Sequence, residues 1–253
     1  MKSAEFLREA EVTPYEHEAL TIEKAVEMLN TYCLQSRAMV NSPLWRGFKD
    51  HTEEVFAAWP ETGVRQSQNT SNHYTEILDN SPFMRGWPAR SKSFICSSSF
   101  GYANSYGSSG STYAIFPFDN VEIAVCPKSD MWHTTVNIPQ LEMRNITVDD
   151  ANDEFQDIGI PGDYASMLAM SKDPNSKLSK HLQSQYGIMP GKLIPILFDA
   201  YRPEKLGFAL LSVAEFANTE VNDRECWVSG PVVAIRKDLY EKFRSAIVKG
   251  NIQ

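Results

Sequence analysis

The sequence predicts an α+β protein, and three patterns carry that prediction. Apolar residues recur at helical spacing near the start, short runs rich in β-formers follow from Leu44, and a helical stripe returns near the end. Residues 1–40 are expected to form an N-terminal helical lobe packed on a core of residues 41–253. At 253 residues the chain is long enough to bury a substantial core.

Within the lobe, Thr13-Pro14-Tyr15-Glu16 joins a capping threonine, a first-turn proline and a glutamate three residues on, which predicts a helix start. A second helix is predicted from Thr21, where Ile22, Val26, Leu29 and Cys33 form an apolar stripe and Glu23, Lys24 and Glu27 lie off it. That face is expected to pack on a sheet.

Strands are predicted at Leu44-Trp45-Arg46-Gly47-Phe48, from Ser93 to Ser99, from Ser111 to Phe118 and from Val121 to Cys126. Gln66 to Asn72 and Gly107 to Ser111, rich in small polar residues and glycine, are expected to be surface loops. Thr147 to Asp157 reads as a solvated acidic excursion, Asp163 to Met170 as a helix, and Lys172 to Lys180 as a mobile linker. Further strands are predicted at Leu193–Ala200, Gly207–Val213 and Glu225–Ile235, the last folded into two paired runs by Ser229-Gly230-Pro231. A final helix is expected to be capped by Asp238 with Glu241, to bury Leu239, Tyr240, Phe243 and Ile247, and to end at Gly250.

The formal charge of −8, from 24 Lys+Arg against 32 Asp+Glu, argues against extended nucleic-acid binding. No basic-then-apolar leader and no membrane-length apolar run is legible, so a cytosolic protein without a membrane partner is expected. Cys33, Cys96, Cys126 and Cys226 are scattered, with no metal-ligand spacing; reduced thiols and no metal site are expected.

One residue asks for an explanation. Arg46 stands in an apolar strand, where a guanidinium must find an anion or lose several kcal/mol of hydration. Phe83-Met84-Arg85-Gly86-Trp87 repeats the pattern of apolar residue, arginine, glycine and aromatic, but leads into a basic, proline-containing stretch, Pro88 to Ser93, that reads as a turn. Only one of the two is expected to hold a buried anion.

Taken in order, Trp45-Arg46-Gly47, then Ser97-Ser98-Ser99 with Ala103 and Tyr106-Gly107, then Glu225 opening a strand resemble the ADP-ribosyltransferase superfamily in its Arg / Ser-x-Ser / Glu branch. The likeness spans roughly residues 21 to 248 and extends to phage-encoded proteins of that fold. It implies split β-sheets around an NAD cleft and cleavage of the nicotinamide–ribose bond of NAD, the substrate, with transfer to a macromolecular acceptor, expected to be protein. Glu225 would stabilise the oxocarbenium-like centre, Ser97 would orient it and Asp223 would serve the acceptor. Arg46, Gly47, Ser97, Ser99, Phe100 and Tyr102 would bind NAD, with Arg46 on the pyrophosphate or its adjacent ribose. A phage-encoded chain would work in the host cytosol.

Cys96 is the alternative alignment for Ser97, whose spacing to Ala103 favours it. Asp223-Arg224-Glu225 departs from the Glu-x-Glu of transferases that modify arginine, so arginine is not fixed as the acceptor. Two other readings stand beside this one. The first is a catalytically inactive binding or structural protein of the same fold, and the second a cysteine hydrolase pairing Cys96 with His133 or His181.

Overall fold

The computed structural model describes residues 15–48, 51–60, 72–107 and 111–249. The chain opens with β1 (Tyr15–Ala19), α1 (Ile22–Tyr32), β2 (Leu44–Gly47), β3 (Val55–Pro60), α2 (His73–Asn80), β4 (Phe94–Ser97), α3 (Phe100–Tyr106), β5 (Thr112–Pro117) and β6 (Glu122–Val125). A hairpin of β7 (Thr135–Ile138) and β8 (Met143–Thr147) leads into five helices, α4 (Val148–Ile158), α5 (Tyr164–Lys172), α6 (Lys177–Tyr186), α7 (Leu193–Ala200) and α8 (Pro203–Leu206). The chain then returns through β9 (Ala209–Ser212), α9 (Val213–Ala217), β10 (Glu225–Val228), β11 (Val232–Arg236) and α10 (Lys237–Lys249). The α+β class follows directly, and no helix among the described residues is long and apolar enough to cross a membrane.

Nine strands form one antiparallel ladder in the order β1-β3-β11-β5-β2-β4-β10-β6-β9. Its weakest joint is β2 to β4, which face each other at a single pair, Trp45 with Ser97. A five-strand half therefore meets a four-strand half at a seam. Both halves share one apolar layer: Phe56, Tyr113 and Ile115 from the first pack with Phe94, Cys96, Ile123, Cys226 and Val228 from the second. The alternate residues face outward. On the five-strand half, Ala57, Ala114, Phe116 and Val233 pack under α1 and α10; on the four-strand half, Ile95, Ala124 and Trp227 pack against the hairpin and helices. Strands buried on both faces carry continuous apolar runs, which is why Tyr113–Phe116 and Val232–Ile235 lack alternation.

Several expectations need correction. Tyr15–Ala19 is an edge strand on β3, because Glu16 and Glu18 alternate with His17 and Ala19 at period two; Thr13 and Pro14 lie outside the described residues. Residues 15–19 thus join the sheet, while α1 packs on it as expected. The acidic stretch after Thr147 is α4: Thr147 and Asp150 form a capping box, and Val148, Ala151, Asn152 and Phe155 bury one stripe. No mobile linker spans Lys172–Lys180. There α5 turns sharply into α6, with the Ser176 and Ser179 hydroxyls donating to the Met170 carbonyl. Leu193–Ala200 is a helix burying Leu193, Ile194, Leu197 and Ala200, a spacing that a short apolar run hides.

Likewise, β10 and β11 do not pair. They lie on opposite sides of the seam, between β4 and β6 and between β3 and β5. Asp238 accepts from the Arg236 guanidinium at 2.7 and 3.0 Å, and Gly250 lies outside the described residues, as do 66–71 and 108–110 of the predicted loops. The expected split pair of sheets is, among the described residues, one ladder narrowed at the seam.

Candidate functional site

The seam is flanked by the residues singled out in the sequence. Glu225 faces Ser97 in the register of β10 on β4, and β2, carrying Arg46, is the next strand. Glu225 is fixed through its backbone, donating to the Lys128 carbonyl at 2.9 Å and accepting from Cys126 N–H at 2.8 Å. The residue is only 5% exposed. Trp227 Nε1 donates to Oε1 at 2.6 Å, and the Met131 backbone N–H donates to Oε2 at 3.0 Å. That N–H is aimed by a short turn at Met131–His133, capped by Asp130, which accepts from Trp132 N–H.

The charge partner of Glu225 is Arg90. Its Nε lies 3.4 Å from Oε1, an ion pair by distance although the angle does not make a hydrogen bond. Arg90 is buried, with its guanidinium over the Tyr74 and Trp227 rings at 4.9 and 5.9 Å. Burial opposes its charge, but Tyr74, Glu225, Asp130 and Asp79 outweigh that and hold its pKa above the ordinary arginine value. Asp79 anchors the turn by accepting from Arg90 and Ser91 N–H at 2.8 and 3.1 Å, and burial raises its own pKa against those bonds. Nearer solvent, the exposed Tyr106 donates to Asp130 at 2.8 Å; burial first, then Asp130, pushes this phenol upward.

Ser97 is buried, and its Oγ accepts from Ser99 N–H at 3.0 Å. Ser98 exchanges two bonds with Arg224, N–H to the Arg224 carbonyl at 2.9 Å and Arg224 N–H to Oγ at 2.8 Å. These tie the Ser cluster to the turn carrying Asp223, which is exposed with a left-handed φ of 50°. Phe100 packs edge-on against Trp45 at 5.1 Å and lies under Lys237 Nζ at 4.3 Å, while Tyr102 is exposed. Gly47 lets α3 approach: a Cβ there would stand 2.4 Å from the Ala103 carbonyl oxygen.

Arg46 is placed differently. Because Trp45 and Ser97 share a face, Arg46 projects to the other one, over Phe48 and Phe94 at 4.9 and 5.7 Å. Its Nη1 donates to the Ile95 carbonyl at 2.7 Å, closing the seam where ladder pairing is thin. Ser97 and Glu225 are therefore brought together, and Arg46 sits on the neighbouring strand facing away from them. The buried anion belongs to Arg90, in the basic stretch read as a turn. The echo of the Arg46 pattern pointed to Arg85, which is exposed. Cys96 is buried on the inner face, whereas His133 and His181 are exposed.

Comparison of the chain with protein-family models, curated proteins and solved structures finds no match in any of the three.

Proposed function

We propose that the chain is an NAD-dependent mono-ADP-ribosyltransferase acting through Glu225 on a macromolecular acceptor, with protein as the expected class. The observation that supports this most is the register setting Glu225 against Ser97, with the Arg46 strand beside them. The reaction breaks the nicotinamide–ribose bond, whose electron pair leaves with nicotinamide, and the acceptor's nucleophile bonds to the ribose carbon while losing a proton. Positive charge develops on that ribose, and a carboxylate held in place by Trp227, Met131 N–H and Arg90 stabilises it without reorganising. Among the described residues the Ser97 hydroxyl is used only as an acceptor, so its proton is available to Glu225 or a ribose hydroxyl. Asp223, exposed two residues upstream, is the proposed acceptor of the nucleophile's proton. Tyr102 and Tyr106 offer exposed rings beside the Ser cluster for stacking.

A second reading, a binding scaffold without turnover, is favoured by the burial of Glu225 and by Arg46 facing away. Nicotinamide release from NAD, measured with and without cell lysate, separates the two. The enzyme reading expects release by the wild type and a loss of about a hundredfold or more in Glu225→Gln. No release by the folded wild type under either condition establishes the scaffold.

A further inference from the structure

At the far edge of the sheet from Glu225, three metal-ligating side chains converge from two segments. His17 comes from β1, and His51 and Glu53 come from the segment entering β3. One donor atom from each lies within 4.8 Å of the others. His51 Nε2 and Glu53 Oε2 are 3.3 Å apart, matching the edge of a tetrahedron with metal–ligand bonds near 2.0–2.1 Å, about 3.3–3.4 Å.

The segment is held rather than loose. The Tyr113 hydroxyl donates to the Glu53 carbonyl at 2.7 Å, and the His51 ring packs on Phe56, Phe48 and Tyr113 at 4.2, 5.4 and 5.8 Å. Pairing of His17 with Ala58 on β3 brings its ring to 4.9 Å from that of His51. The adjacent Glu54 is paired with Arg236 at 2.7 Å, so among the described carboxylates of this segment Glu53 is the one turned to the two imidazoles.

We propose that His17, His51 and Glu53 form a binding site for a divalent transition cation of the zinc type. Two imidazoles and one carboxylate suit zinc and its neighbours, whereas magnesium and calcium prefer all-oxygen shells. Three protein ligands leave a fourth position for water or an anionic oxygen. The bound ion clasps edge strand β1 to the connection entering β3, and stabilises the fold by mass action. With β1 and β10 separated by five strands, the site is independent of the Glu225 reading.

The test is calorimetric titration of Zn²⁺ into the chelator-stripped full chain, paired with thermal melting. One equivalent is expected to bind, with a rise in melting temperature. His17→Ala, on an exposed edge strand, is expected to keep the metal-free melting temperature while weakening binding at least tenfold. Glu53→Gln is expected to weaken it comparably, and Mg²⁺ to leave the melting temperature unmoved. Absence of saturable uptake, uptake unchanged in both variants, or equal stabilisation by Mg²⁺ overturns the site.

Discussion

Replacing Arg90 with methionine keeps most of its volume and removes the cation that, among the described residues, pairs with the buried Glu225 carboxylate. At 3.4 Å and an effective dielectric near 20, the charges attract by about 5 kcal/mol, which largely offsets the desolvation of both. Removing Arg90 leaves the Glu225 carboxylate buried with, among the described residues, Trp227 Nε1 and Met131 N–H as its donors, so a loss of about 3–5 kcal/mol in folding stability is expected. Arg46→Met serves as the control. It loses one bond to the Ile95 carbonyl and two ring contacts, for about 1–2 kcal/mol. Urea unfolding followed by tryptophan fluorescence measures both, given an unchanged m-value. In the double variant Arg90→Met with Glu225→Gln, the losses should fall short of additivity by about 1.5–3 kcal/mol. Additivity within about 0.5 kcal/mol, or an Arg46→Met loss as large as that of Arg90→Met, refutes the assignment of Arg90 as the charge partner.

Three other outcomes follow from the same geometry. Gly47→Ala drives a methyl into the Ala103 carbonyl and the Gly107 N–H, and should cost about 1–3 kcal/mol by thermal or urea unfolding. Burial pushes the Cys33 and Cys126 thiols up to about 12 and Cys226 well above its ordinary value, so a thiol reagent at pH 8 should label these three only after unfolding. The same shifts set an alkaline limit: with folded pKa values above unfolded ones near 8.5, this stability is complete below about pH 8.5 and declines as pH rises toward 12, as urea midpoints across that range would show.

How far the sequence could be read depended on the range of the interactions. The stripe of α1 and the runs of β2, β4, β5 and β6 were legible because their patterns are local. Thr147–Asp157 misled because charge conceals a narrow buried stripe, and Leu193–Ala200 because a short apolar run fits either period. Pairing of β10 with β4 and β6 instead of β11 depends on the seam, which no local signal reveals. Glu225 and Ser97 stood out through their order along the chain. Arg90 did not, since only the fold shows that a turn rich in polar residues is driven under Trp227 and Tyr74. The cluster of His17 with His51 and Glu53 is hidden for the same reason, its members being held together by strand pairing.

The position of Arg46 bears on where NAD would lie. On the proposed enzyme reading a dinucleotide reaching Glu225 would approach the face of Ser97, Ser99, Tyr102 and Tyr106, whereas Arg46 points across the sheet and donates Nη1 to the Ile95 carbonyl. On the enzyme reading, Arg46 thus acts as a seam holder, and Arg46→Met should lower stability while leaving KM for NAD within about twofold, a change of roughly 0.4 kcal/mol. Tyr106→Ala removes an exposed ring and the bond to Asp130, and should raise KM instead. A tenfold rise in KM for Arg46→Met, measured below its melting temperature, would place the guanidinium on the ligand and require the two halves of the sheet to part at the Trp45–Ser97 pair when NAD binds.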